Sequence, residues 1–256
     1  MDTHCHLDAA AFAGEPVGDI LARAAAAGVT RLVTIGTDLA TSAAAVGLAE
    51  AHPAVWASVG VDPNDCADLD EDGLERLEEL AGSERVVAIG EIGLDYYWNR
   101  APAEVQQAAF RAQLALAERL DLPVVIHSRD ALDDTEAILA EWVAGRAAAE
   151  RPPGVMHCYS GDLPRARRLV ELGFLISLAG VVTYKNAAAT HEVARALPAS
   201  ALVLSRRNTV MLRVCWNTGS YVKRVTRSTP PPPTELGLRR RSSRLPRAAR
   251  FGLAAS

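Results

Sequence analysis

From residue 1 to residue 204 the chain repeats one unit: a helical stretch, a Gly or Pro stop, then a short β-branched run. The segment 17–27 sets the pattern. Val17, Ile20, Leu21 and Ala24 share one helical face, Pro16 stands just before it and Gly28 just after. This is the usual asymmetry of helix start and stop. Arg31–Ile35 (RLVTI) then reads as a strand. Further helices are expected at 40–51, 73–81, 103–120, 132–148, 164–172 and 188–196, with Phe110, Leu114 and Ala117 on one face of the longest. They precede strands at 55–59, 86–89, 124–126, 155–156, 174–177 and 201–204, and a clipped strand at Met1–Thr3 brings the count to eight.

Strands that alternate with helices imply βαβ units and a parallel sheet. Eight such units in a chain of 256 residues predict an α/β fold of the TIM type, a (β/α)8 barrel. A doubly wound sheet is the alternative, but no G-x-G-x-x-G follows the first strand.

Charge divides the chain at residue 205. Of its 27 Lys+Arg and 31 Asp+Glu, residues 205–256 hold 12 of the cations and a single acid, Glu235, which leaves residues 1–204 with 15 cations against 30 acids. An acidic body argues against broad affinity for a polyanion, because like charges repel within a Debye length of about 10 Å. No run approaches the ~18 apolar residues of a membrane span, and no charged and apolar leader opens the chain. Cys5, Cys66, Cys158 and Cys215 lack CxxC spacing. That excludes a disulfide scaffold or zinc ribbon and points to a reducing cytoplasm. No membrane association and no obligate protein partner is expected.

In a barrel of this type the chemistry lies at the C-terminal ends of the strands. There the first strand runs into His4-Cys5-His6, the fourth into Glu91, the fifth into His127 and the sixth into His157. Each alone has a structural reading: a surface pair, a buried acceptor between glycines, two satisfied core histidines. Four imidazoles and a carboxylate at successive strand ends together read as a metal site. His4 and His6, two apart on a strand, face the same way. Nitrogen and oxygen donors without thiolate suit divalent ions such as Zn, Mn or Mg. Five side chains are too many for one tetrahedral ion with an open position. Two ions sharing a carboxylate fit, with Glu91, the one acid of the set, as bridge. Such a pair clamps the oxygens of a displacement at phosphorus.

Asp2-Thr-His-Cys-His-Leu-Asp, Gly90-Glu-Ile-Gly-Leu-Asp-Tyr-Tyr, Ile126-His-Ser-Arg-Asp-Ala, His157-Cys-Tyr-Ser-Gly and Gly180-Val-Val-Thr-Tyr-Lys-Asn-Ala, in that order, resemble the TatD family of metal-dependent deoxyribonucleases over residues 2 to about 204. The resemblance implies a barrel of the amidohydrolase-like superfamily. It implies divalent-metal hydrolysis of DNA phosphodiesters, exonucleolytic, with a metal-bound water as nucleophile. By motif match, His4, His6 and Glu91 would hold one ion, and Glu91, His127 and His157 the second. Arg129 is a candidate phosphate clamp, since a guanidinium matches phosphate oxygens in a fork; its structural alternative is a salt bridge to Asp130 or Asp133. The expected substrate is DNA, single-stranded or at frayed ends. The rival readings are an amidohydrolase-like enzyme acting on a small ester, amide or phosphotriester, and an inactive metal- or nucleic-acid-binding remnant.

Three features depart from the family. The chain starts almost at its first metal motif. Asp62, in Val59-Gly-Val-Asp-Pro, stands where the family shows histidine. After the eighth strand the family shows a Glu-Thr-Asp-Ala-Pro-Tyr motif whose aspartate completes the first metal site; here Leu204 is followed by Ser205-Arg-Arg, which puts Arg207 at that position. A cation there would repel a metal ion. Residues 205–256 read as a basic arm, a linker with a polyproline spacer at Pro230–Pro233, or the product of a shifted reading frame near residue 205. The third explains the abrupt change in charge, the lost motif and the missing periodicity together. The segment is expected to be disordered, leaving residues 1–204 as a hydrolase barrel incomplete at its C-terminus.

Overall fold

The computed structural model describes residues 1–8, 12, 14–146 and 151–204. Eight strands form one sheet: β1 (Asp2–Cys5), β2 (Leu32–Ile35), β3 (Val55–Val59), β4 (Val86–Asp95), β5 (Val124–Arg129), β6 (Gly154–Met156), β7 (Leu175–Leu178) and β8 (Leu202–Leu204). They pair in chain order and every pairing is parallel. Seven α-helices alternate with them: α1 (Val17–Ala26), α2 (Leu39–Ala51), α3 (Glu71–Ala81), α4 (Ala103–Arg119), α5 (Leu132–Gly145), α6 (Leu163–Glu171) and α7 (Ala188–Ala196). β8 returns to β1, where the Thr3 hydroxyl donates to the Leu204 carbonyl at 3.1 Å. The sheet is a nearly closed TIM-type barrel. The tail expected to be disordered and Arg207 lie outside the described residues.

The parallel sheet dictates the composition of its strands. Helices cover its outer face and side chains fill the barrel, so strand residues are apolar with little alternation. β2 is buried at all four positions, and Val55, Ala57 and Val59 of β3 are fully buried. The helices dock by one stripe each. Phe110, Leu114 and Ala117 of α4 are buried, as the helical spacing predicts. On α1 only Ile20 and Ala24 are buried, because ten residues present too short a face to hide all four apolar positions. Asp38 caps α2 by accepting from the Thr41 amide, and Asp162 caps α6 by accepting from Arg165.

Three strands run further than their apolar composition suggests. β1 continues through His4 to Cys5, and β5 through His127 to Arg129. β4 does not stop at Ile89; it continues to Asp95, pairing Ile92 with Ile126, Gly93 with His127 and Asp95 with Arg129. Glycine permits this. Gly90 and Gly93 have φ of +153° and +140°, which side-chain-bearing residues rarely adopt. A Cβ on Gly90 would lie 2.6 Å from Val125 Cβ, and one on Gly93 would collide with the His127 carbonyl oxygen. The glycines thus press the second half of β4 against β5, and the histidine of β5 is brought to the carboxylate of β4.

Candidate metal centre

Glu91 is the hub. Its Oε2 lies 3.1 Å from His4 Nε2 and its Oε1 lies 2.9 Å from His127 Nδ1. His4, Glu91 and His157 each aim a donor atom to within 4.8 Å of one another, and all three are buried. The His157 ring stacks on His4, centroids 3.4 Å apart and planes 13° from parallel. His6, one residue beyond β1, joins through His4, the two Nε2 atoms 3.2 Å apart. Glu91 of β4 thus touches His4 of β1 and His127 of β5 directly, and His157, just after β6, and His6, just after β1, join through His4.

The imidazoles are oriented by their far nitrogens. His6 Nδ1 lies 3.2 Å from the Ile35 carbonyl, an acceptor only. That contact assigns the proton to Nδ1 and leaves the Nε2 lone pair facing His4. His127 spans two carboxylates, with Nε2 3.0 Å from Asp95 Oδ2. His4 Nδ1 is buried with no hydrogen-bond partner among the described residues.

The electrostatics follow from burial and pairing. Burial opposes the Glu91 charge, but His4, the hydrogen bond from His127 and His157 outweigh it and hold the carboxyl well below the ordinary range. Burial alone would lower His127; the hydrogen bond to Glu91 and its charge prevail and raise it to about 9. Burial and the neighbouring His4 push His6 down. Asp62, on the loop after β3, is raised to about 6, chiefly by burial. One carboxylate thus stands among four nitrogen bases, three of the five groups sealed from water. That donor set and its shared hub fit divalent ions, and the inward lone pair on His6 fits the same.

Arg129 is not brought into this cluster. It ends β5 and its guanidinium lies over the Tyr97 ring, 3.8 Å from the centroid. No salt bridge to Asp130 or Asp133 forms among the described residues; Asp133 pairs instead with Arg165.

Three buried polar residues position the site and escape a sequence reading centred on histidines. Asp95, 1% exposed, accepts from the Tyr97 and Trp98 amides through Oδ1 at 3.0 and 2.9 Å. Its signal was the two-residue period of a strand, Glu91 to Gly93 to Asp95. Gln106 and Gln113, two turns apart on α4, reach under the strand ends. Gln106 accepts from the Asp95 amide at 2.8 Å and donates to the Asp95 and Ala101 carbonyls at 3.0 and 2.8 Å. Gln113 accepts from the Val61 amide at 2.8 Å and donates to its carbonyl at 2.9 Å. One helix face thus clamps the segments that carry Asp95 and Asp62.

The chain is similar to known proteins. The metal-dependent hydrolase YabD of Bacillus subtilis strain 168 is 38% identical over 204 residues, covering 80% of this chain and 78% of YabD. A 3′-5′ ssDNA/RNA exonuclease, TatD of Klebsiella pneumoniae strain 342, is 37% identical over 188 residues, covering 73% of this chain and 69% of its own. The crystal structure of YjjV, a TatD homologue from Escherichia coli K12, superposes with a TM-score of 0.73 at 36% identity, covering 80% of this chain and 77% of that one. The model of TatD-related DNases matches residues 1–205. That span holds all eight strands and every side chain of the centre, and on it the chain belongs to the TatD family of metal-dependent hydrolases.

Proposed function

We propose that this chain hydrolyses phosphodiester bonds of DNA, removing nucleotides from single-stranded or frayed ends with the help of two divalent ions. The seating of His4 and His127 on the two oxygens of Glu91, with His157 stacked on His4 and His6 Nε2 3.2 Å from His4 Nε2, carries this reading. His4 and His6 with Glu91 would hold one ion, and Glu91 with His127 and His157 the other. When bound, such a pair supplies Lewis acidity at the phosphate and an activated water. The protein's own work is placement. Glu91 presents one oxygen toward each histidine set, its charge kept by the surrounding imidazoles. His6 is oriented by the Ile35 carbonyl and His127 by Asp95. Arg129, on the strand that bears His127, offers a cation to a phosphate. The Klebsiella relative named as an ssDNA/RNA exonuclease supports the substrate class. Among the described residues no helix is long and apolar enough to cross a membrane. We place the enzyme in a cytoplasm, on four cysteines without the spacing of a disulfide scaffold. We take residues 1–204 as the hydrolase barrel and 205–256 as a segment apart from it.

The experiment is to strip the purified chain of metal, reload it with Mn or Mg, count bound ions by mass spectrometry, and incubate it with a single strand and a duplex of one sequence. Two ions per chain and release of nucleotides from the single strand are expected. Loss of no nucleotide from either substrate overturns the reading. A second reading comes from Arg207: a barrel that binds one ion and nucleic acid without cutting. One ion per chain, strand binding and no product would establish it in place of the first.

A further inference from the structure

Beside the metal centre lie two aromatic rings that the hydrolytic chemistry does not use. Tyr97 and Trp98 are 53% and 57% exposed. Their rings meet edge to face, centroids 5.1 Å apart at 89°. The Arg129 guanidinium lies 3.8 Å from the Tyr97 centroid and 5.7 Å from that of Trp98, and it pairs with no carboxylate among the described residues. Exposing two adjacent large rings forgoes the stabilisation of burying them. Yet their backbone is pinned, both amides donating to the buried Asp95. The same carboxylate takes His127 Nε2 at 3.0 Å, so the rings and a side chain of the metal centre share one anchor.

We propose that Tyr97, Trp98 and Arg129 form a stacking platform for an unpaired nucleobase of a single-stranded nucleic acid, next to the phosphate being cleaved. This rests on the hydrolysis of nucleic acid proposed above and names how that substrate is gripped. Aromatic faces bind bases of any sequence, and an adjacent arginine adds cation–π attraction and a phosphate contact. The charge of the body favours this mode. With 15 cations against 30 acids over residues 1–204, the barrel lacks the broad basic field that draws nucleic acid by its backbone alone. Affinity must come from the bases and from a few local cations. A duplex hides its base faces in its own stack, so the platform selects strands whose ends are open.

The test measures binding of a short oligothymidylate, its linkages made phosphorothioate to block cleavage, and of a strand of the same length with abasic residues in place of every nucleotide. Both are titrated against the metal-loaded wild type, the Tyr97→Ala/Trp98→Ala pair and Trp98→Phe, with circular dichroism as a check on folding. The wild type should bind the base-bearing strand about ten-fold more tightly than the abasic one, and the double variant should lose that margin while holding the abasic strand unchanged. Trp98→Phe should retain most of it. Equal affinity of the wild type for the two strands, or equal weakening of both strands in the double variant, overturns the platform. The unmodified strand is digested in parallel: wild-type cleavage without base-dependent binding sinks the platform alone, whereas neither binding nor cleavage sinks the proposed function and the platform with it.

Discussion

Asp95 Oδ2 lies 3.0 Å from His127 Nε2, on the side of the ring away from Glu91. A carboxylate behind a ligating imidazole fixes its proton and its rotation, and losing that partner typically costs 10–100-fold in metal affinity. In Asp95→Asn the residue can still serve the Tyr97 and Trp98 amides, but its charge behind His127 is gone. Calorimetric titration of the metal-free variant should show Mn affinity about ten-fold or more below wild type. An unchanged affinity would mean that the Asp95 contact only closes the fold.

Glu91→Gln keeps the shape of the hub and removes its charge. An amide cannot bridge two ions, and four nitrogen bases around a neutral group do not retain them. Mass spectrometry of the desalted, reloaded protein should find fewer than one ion per chain, with hydrolysis of the single strand below detection. Full occupancy in this variant would move the hub elsewhere.

Gln106→Ala tests the clamp from α4. It leaves the buried Asp95 amide and the Asp95 and Ala101 carbonyls without their partner. Each buried orphan costs about 1–3 kcal/mol, and some will find water, so a loss of about 3 kcal/mol is expected. It should appear as a lower urea midpoint at unchanged slope.

The metal-free protein should weaken as pH rises through neutrality. His127 stands at about 9 when folded against 6.5 when free. A raised histidine contributes stability that is full below 6.5 and disappears as pH climbs to about 9. Glu91, held low, contributes above its free value of 4.5 and gives that up as pH falls. Melting of the chelator-treated protein should therefore peak between these limits, and Glu91→Gln should flatten the fall on the alkaline side. Metal affinity should run the other way, rising with pH up to about 9, because the ion displaces the same proton.

Asp62 behaves oppositely. Burial raises its carboxyl from 3.8 to about 6, so its ionisation costs stability once pH passes 3.8 and the cost is complete above 6. Asp62→Asn, which keeps the oxygen that accepts from the Asn64 amide at 2.7 Å, should melt higher than wild type at pH 7. The gap should close in acid.

Much of this was legible in one dimension, for a physical reason. Parallel strands buried on both faces must be apolar runs, and the helices between them must carry one apolar stripe and a stop. The count of eight units and the order in which His4, His6, Glu91, His127 and His157 follow their apolar runs come from that rhythm alone. What it could not show is contact. Arg129 could reach a carboxylate or a ring, and only the pairing of Asp95 with Arg129 across β4 and β5 set its guanidinium over Tyr97. The reach of β4 past Ile89 depends on glycines whose use shows only against β5. Asp95, Gln106 and Gln113 are polar residues of ordinary type; their roles exist because α4 crosses under two strand ends and leaves backbone groups there that nothing else can satisfy. Local periodicity, then, is written in spacing that each segment carries by itself. The wiring of the centre is decided by distances between segments far apart in the chain, and those exist only once the barrel is folded.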